Sequence, residues 1–508
     1  MKSYLFLGIL FLLFQNISFS QKDLNIHPDL IKHLDPSLAP FYHGVASGDP
    51  TMNSVVIWTK LTLDNSIEKA NVKWEIAKDS LFSKIIQKGT SITSNEIDFT
   101  VKLRIENLKD DQKFYYRFNY NGINSIIGRT KTLPSKLKSY KIAFAACSNY
   151  EWGYFTNYKY IAEDINIDLV VHLGDYIYEY GIGIYGDTSI GRMNVPSHEI
   201  ITLNDYRTRY SLYRLDKDLI KLHQMKPIIT TWDDHEIADN AYNEGAENHQ
   251  DNEGSYITRK NAATQAYYEW LPIQPKLNEP LYRSFSIGSL IKLIVLDTRI
   301  VERTAQVDSA EIINYYDSTR TILGKKQFKW LTQNLEQKET WKIICNQVPV
   351  GPMYSPTIIK DNIYMDGWDG YPFEKEKFLH FLEDNKINNT VIVTGDYHRS
   401  IAMETDLKGT LTSDDNVAVE FIVTSITSAN DDEYYSLEKA QKRKELYLIN
   451  NPNMKYCNNI DNGYLTLKIT RKEVIAEYLN LSTVKKSDSI QHLDQRFKVK
   501  NGKNVLVK

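Results

Sequence analysis

The pattern of apolar and polar positions changes character once along this chain, in the stretch Leu133-Pro134-Ser135-Lys136-Leu137-Lys138-Ser139. Before it, short apolar runs recur with period two. They are Ser54-Val55-Val56-Ile57-Trp58-Thr59, Val72-Lys73-Trp74-Glu75-Ile76, Phe99-Thr100-Val101-Lys102-Leu103 and Phe114-Tyr115-Tyr116-Arg117-Phe118. No helical period separates them, which predicts a small all-β sandwich of immunoglobulin or fibronectin type III style over 38–134. The 133–139 stretch reads as the linker that ends it. Beyond it, apolar strands alternate with amphipathic helices, the signature of α/β layering. Strands are predicted at Lys141–Ala146, Asp168–Leu173, Pro227–Trp232, Lys292–Leu296, Trp341–Cys345, Thr390–Thr394 and Val417–Val423. Helices are predicted near Tyr154–Asp164, Arg259–Trp270, Lys325–Glu336 and Glu374–Asp384. The region 184–256, rich in Tyr, Asn, Asp and Gly, is predicted as loops and short helical pieces over one edge. A hairpin is predicted at Tyr464–Tyr478. Residues 140–485 thus form the second domain, and the weakly patterned, Lys-rich 486–508 reads as a tail.

The strands of the second domain share one property. They run out into Cys147-Ser148-Asn149, Gly174-Asp175, Asp233-Asp234-His235-Glu236, Asp297-Thr298-Arg299, Asn346-Gln347, Gly395-Asp396-Tyr397-His398 and Thr424-Ser425. Sites in open α/β sheets lie outside the carboxyl ends of the strands. One polar ending is noise; a set carrying Asp, His, Cys and Asn describes a site.

Composition narrows the class. With 42 % apolar and 25 % charged residues and a net charge of −3, the chain has an ordinary globular balance and no basic field to favour nucleic acid or anionic membranes. Lys2, the apolar run Tyr4–Phe14 and the small residues of Ser18-Phe19-Ser20 predict a secretory signal peptide over 1–20, hence a periplasmic or extracellular protein. The run is too short for a membrane span, which needs about 20 residues. No twin Arg precedes it, no Cys follows it for a lipid anchor, and no later segment is long and apolar enough to span. Three Cys do not make a disulfide framework. Cys345 and Cys457 read as buried thiols, with a bridge between them left open. His43 and Asp49, in the glycine-rich turn His43–Pro50, read as shaping that turn and the seam between domains.

Asp175, Asp234 and Asp396 are hard oxygen donors, and His398 is a borderline nitrogen donor. Three carboxylates brought together would not all ionise without a cation, and carboxylates suit calcium, magnesium or manganese. Cys147 and Tyr178 differ: thiolate and phenolate form beside a strong Lewis acid, and ferric iron is the natural partner of phenolate. The mixed set predicts one trivalent iron (Fe3+) with divalent ions beside it. A bridging carboxylate such as Asp175 would hold neighbouring metals close, an arrangement that activates hydroxide and clamps a transferring phosphoryl group. His235, beside Asp234, is placed to donate a proton to a leaving group or to hydrogen-bond a phosphoryl oxygen, and Arg299 to clamp phosphate.

Together, His43-Gly-Val-Ala-Ser-Gly-Asp-Pro50, Cys147-Ser-Asn149, Gly174-Asp-Tyr-Ile-Tyr178-Glu, Trp232-Asp-Asp-His-Glu236, Asp297-Thr-Arg299 and Gly395-Asp-Tyr-His398 resemble the alkaline phosphatase D (PhoD) family over nearly the whole chain. The resemblance implies a calcineurin-like metallophosphoesterase core, two packed β-sheets flanked by helices. It implies iron on Cys147, Asp175, Tyr178 and His398. It also implies two calcium ions (Ca2+) around Asp175, Asp234 and Asp396, with Asn240 a further ligand. His235 would take the place of the transition-state histidine of related metallophosphatases. The expectation is a secreted, monomeric alkaline phosphatase acting on small phosphate monoesters and some diesters. Two alternatives stay open: a phosphodiesterase or phospholipase on the same fold, and a surface binding protein with a degenerate core.

Overall fold

A computed structural model describes residues 23–309, 313–357, 363–407 and 416–508. The predicted signal peptide and the acidic pair Asp414-Asp415 lie outside them. The architecture is mixed α/β, built on two large sheets that face each other. The first has ten strands, in the order Leu506–Val507, Gln491–Lys500, Glu473–Leu481, Gly463–Thr470, Ser139–Ala145, Leu169–His172, Pro227–Thr230, Val45–Gly48, Val55–Lys60, Thr100–Ile105. The second has seven: Arg283–Ile287, Ile291–Val295, Trp341–Asn346, Thr390–Thr394, Asn416–Ile422, Ser400–Asp406, Met454–Asn458.

The reason for the layering is legible in single strands. Side chains alternate between the two faces of a strand. Ile142 and Phe144 point into the space between the sheets, where they meet Leu293, Ile343, Val391 and Val419 from the opposite sheet. Their neighbours Ala143 and Ala145 point outward, under the helices Thr156–Glu163, Leu203–Arg214, Lys217–Met225 and Tyr256–Trp270. On the far side, Ile294, Ile344 and Ile392 carry the helices Gly324–Leu335 and Pro372–Asp384. A strand buried on both faces must be apolar throughout, which is why these segments read as continuous runs.

The central strands are parallel. Ser139–Ala145, Leu169–His172 and Pro227–Thr230 run together, as do Ile291–Val295, Trp341–Asn346, Thr390–Thr394 and Asn416–Ile422. Their carboxyl ends therefore leave each sheet at one edge, and the polar endings gather there.

Three departures from the sequence reading stand out. First, the N-terminal strands pack as two layers around a core of their own, but one of those layers is continuous with the large sheet. Lys69–Ala77, Ile85–Ser94, Lys113–Tyr120, Ile123–Asn124 and Gly128–Lys131 make a small sheet of their own. Val45–Gly48, Val55–Lys60 and Thr100–Ile105 instead extend the ten-stranded sheet, through parallel pairing of Ser47 with Pro227 and Gly48 with Ile228. Val55 and Ile57 face the small sheet, while Trp58 faces the helices and donates its indole N–H to Glu269 O at 2.8 Å. Asp49 grips Arg283 at 2.7 and 2.9 Å, and His43 Nε2 lies 2.7 Å from Ser211 Oγ, so both residues fasten this seam.

Second, the predicted tail is a strand: Gln491–Lys500 pairs antiparallel with Glu473–Leu481. Near a sheet edge it needs few apolar contacts, and only Phe497 and Val499 are buried, so it leaves almost no pattern. Third, the loop region 184–256 contains the well-formed helix Leu203–Arg214, started by a capping box between Thr202 and Asp205. Its sides are buried nearly all round, which hides the helical period. All three Cys are buried free thiols. No helix among the described residues is long and apolar enough to cross a membrane.

Candidate metal centre

The strand tips adopt a backbone that most residues avoid. Cys147, Asp175, Asp396 and His398 have φ of 58°, 53°, 62° and 57°, in the left-handed region. Non-glycine residues held there cost about 1–3 kcal/mol each and cluster at functional sites. Gly174, at φ 118°, makes the turn possible. A Cβ there would sit 2.4 Å from the Asp233 backbone nitrogen. Gly174→Ala is therefore expected to destabilise the fold by about 2–5 kcal/mol through strain and overpacking. Chemical denaturation of the two proteins side by side measures it.

Glu236 locks two of these tips together. Its buried carboxylate accepts the backbone N–H groups of Asp175 (3.0 Å), Tyr176 (2.6 Å) and Asp233 (2.8 Å). The strand endings 173–176 and 232–236 thus keep a set separation.

The donor side chains form a continuous chain of groups. Cys147, Asp175 and His398 offer ligand atoms within 4.8 Å of one another; so do Asp175, Asp234 and His235, and so do Asp233, Asp234 and Asp396. Asp175 belongs to the first two groups and Asp234 to the last two. At the first end Tyr178 joins in: its hydroxyl lies 3.1 Å from Asp175 Oδ2, 3.2 Å from His398 Nε2 and 2.6 Å from Ser428 Oγ. His398 Nδ1 faces the Ala429 carbonyl at 3.2 Å. A carbonyl only accepts, so Nδ1 carries the proton and Nε2 presents its lone pair. Burial and then Arg399 bring the His398 pKa down to about 3, which keeps the ring neutral.

Two observations show that this set suits cations. Among the described residues, Asp175 Oδ1 and Asp233 Oδ2 are buried with no hydrogen-bond partner, an arrangement that is costly unless a cation completes it. Burial, with Asp233 and Asp234 nearby, pushes the Asp175 carboxyl well above its usual range against the pull of His235. Burial likewise raises the Cys147 thiol and the Tyr178 phenol, and Asp175 adds to both. Positive charge placed beside these groups would favour their ionised, ligating forms.

His235 is held differently. Its Nδ1 lies 2.7 Å from Glu179 Oε2, and its ring packs 4.3 Å from that of Tyr178. Burial alone would lower its pKa, but Glu179, Asp234 and Asp175 outweigh it and hold the imidazole well above its ordinary value. Glu179 is fully buried and also accepts from Asp239 N (2.8 Å) and Asn248 Nδ2 (2.9 Å).

Cys147, Asp175, Tyr178, Asp234, His235, Asp396 and His398 therefore converge. Asn240 borders the site through its backbone, and Arg299 is used otherwise than the sequence suggests. The backbone N–H of Asn240 donates to Asp234 Oδ2 at 2.6 Å, while its side-chain amide donates to Glu247 at 2.6 Å. Arg299 spends its donors on Asp233, Asp366 and Asp396, which leaves no fork for phosphate. Residues missed from sequence are Glu179, Asp233, Glu236 and Asp366. The first three sit inside recognised motifs and could have been found by asking which carboxylate partners each donor. Asp366 lies in a loop 67 residues from Arg299, with no local signal.

The sequence profile described as "PhoD-like phosphatase" matches residues 142–478, and that of the "PhoD-like phosphatase, N-terminal domain" matches 30–134. This chain belongs to the PhoD-like phosphatase family. It is 37 % identical over 458 residues to alkaline phosphatase D of Bacillus subtilis (strain 168), across 86 % of this chain and 77 % of that one. The solved structure of PhoD superposes with a TM-score of 0.82 at 33 % identity, covering 93 % of this chain and 92 % of that one. As a PhoD-like phosphatase it is a phosphoric ester hydrolase. The matched span 142–478 contains every converging donor named above.

Proposed function

We propose that this PhoD-like phosphatase acts outside the cytoplasm on phosphate monoesters, and on some diesters, with one ferric and two calcium ions. The two facing sheets then make a metallophosphoesterase core, and the N-terminal strands an immunoglobulin-like unit fused to its edge. The observation that carries the reading is the unbroken donor chain from Cys147 to Asp396, joined by the shared residues Asp175 and Asp234. Its composition grades from thiol, phenol and imidazole to carboxylate alone. That gradient matches a trivalent iron at one end and oxygen-preferring calcium at the other. Export is supported by the leader-like first twenty residues.

Cys147, Asp175, Tyr178 and His398 would hold the iron; Asp175, Asp234 and Asp396 would hold calcium. Metal ions there supply Lewis acidity, acidifying water and neutralising phosphoryl oxygens. The chain's own residues do the rest. Asp175 fixes the spacing of the two ends, and Glu236 fixes the backbone of Asp175. Glu179 accepts the hydrogen bond from Nδ1–H of His235 and so orients the ring, leaving Nε2–H as the proton to be moved. When water attacks phosphorus and the ester P–O bond breaks, His235 delivers a proton to the departing oxygen.

Metal analysis of purified protein is expected to return iron and calcium in a ratio near one to two. Tyrosinate on ferric iron absorbs in the visible, and Tyr178→Phe is expected to abolish that band while leaving the far-ultraviolet circular dichroism unchanged. Full activity after both metals are stripped would defeat the reading. Rates on a phosphomonoester, a diester and a phospholipid separate the substrate classes.

A further inference from the structure

Arg299 is completely buried. Its Nε donates to Asp233, its Nη1 to both oxygens of Asp366 at 2.9 and 2.7 Å, and its Nη2 to Asp396 at 2.9 Å. Asp234 Oδ1 lies 3.7 Å from Nη2. Four carboxylates thus surround one guanidinium, and three of them belong to the strand tips of the candidate metal centre. Among the described residues no Lys or other Arg pairs with Asp233, Asp234 or Asp396. Asp366 is itself anchored by Arg303 Nη2 at 2.6 Å and Gln306 Nε2 at 2.7 Å, so the guanidinium cannot swing away without breaking a second layer of bonds.

We propose that Arg299 is the resident counter-ion of the carboxylate end. It holds Asp233, Asp234 and Asp396 gathered in the folded protein before any divalent ion arrives, and it shares Asp234 and Asp396 with those ions once they bind. The inference rests on reading that end as a divalent-metal site.

The physical case is one of charge and shape. Carboxylates this close repel one another unless a cation sits among them. Arg is permanently charged, and its planar fork can satisfy several carboxylates at fixed angles, which a Lys ammonium cannot. The opposite end of the centre needs no such device. Thiol, phenol and imidazole can all be neutral, and among the described residues no Lys or Arg pairs with the side chain of Cys147, Asp175 or Tyr178; Arg209 meets Tyr178 only at its backbone carbonyl. Among the described residues a buried arginine pairs with the donor side chains only where these are carboxylates alone. Arg299 is therefore a positioning residue, acting through the groups it gathers.

The test is thermal unfolding of the full chain, wild type against Arg299→Leu, each in EGTA and again in saturating calcium. In EGTA the variant is expected to melt at least about 5 °C below wild type, because removing one partner of a buried ion-pair set leaves charges uncompensated. Calcium is expected to close most of that gap by supplying the missing charge, raising Tm more in the variant than in wild type. Arg299→Lys, which keeps the charge without the fork, is expected to fall between them. It carries the same comparison should Arg299→Leu not fold. The ferric absorption band is expected to be the same in all three proteins. An equal gap with and without calcium would reduce Arg299 to packing. No gap in EGTA, with a raised KM, would make it a substrate clamp. Calcium shifting neither protein would sink the divalent reading of this end and, with it, the counter-ion role.

Discussion

Asp175→Asn is expected to lower kcat by at least about 10³-fold and to deplete both iron and calcium from the purified protein. Among the described residues, Asp175 alone is shared by the thiol–imidazole group and the first carboxylate group. Its loss therefore removes a donor from two adjoining groups at once. Asn is the informative replacement. It keeps the shape of the side chain and tolerates the left-handed backbone that Asp175 adopts at φ 53°, so the effect isolates the charge. Asp396→Asn is the matching control. It lies only in the all-carboxylate group, so calcium is expected to fall while iron and its absorption band persist. Metal analysis of the two variants, with their circular dichroism, decides the matter. Equal depletion of both metals in Asp396→Asn would mean the two ends are not separable.

The second large effect is expected at His235. His235→Gln is expected to lower kcat by about 10²–10⁴-fold on an alkyl phosphate, the usual range for a lost general acid. On a nitrophenyl phosphate, whose leaving group departs without a proton, the loss is expected to be much smaller. Glu179→Gln is expected to move in the same direction by less, since it perturbs the orientation of the ring through the 2.7 Å contact without removing the ring. Both variants are expected to keep wild-type metal content. A loss independent of the leaving group would assign His235 to holding the phosphoryl oxygens instead of protonating the product.

Much of the centre is legible in the residues themselves. The apolar runs that end in Cys147, Asp175, Asp234 and Asp396 are legible because strands buried on both faces must be apolar throughout, so a polar ending marks the sheet's edge. The donor chemistry of Tyr178 is legible because it follows Asp175 by three residues in one turn. What stays hidden is which partner each side chain chooses. Arg299 reads as a phosphate clamp from its place at a strand tip, yet a distant loop brings Asp366 to it. Asn240 reads as a ligand, and only the fold reveals that its backbone N–H also serves Asp234. Glu179 sits in the same motif as Tyr178, but which donor it braces, His235, is decided by the fold.

The same division runs through the fold. Sequence alone determined the number and type of most central strands and helices, the exit of the strands into a common polar edge, and the chemical identity of the donors there. These follow from periodicity and residue type, which are local. Tertiary structure decided that the N-terminal strands continue the core sheet, that the apparent tail is a strand beside Glu473–Leu481, and that Arg299 is enclosed by carboxylates. Each of these depends on pairing between segments far apart in the chain. Backbone hydrogen bonds and ion pairs are blind to the identity of intervening residues, so no local pattern records them.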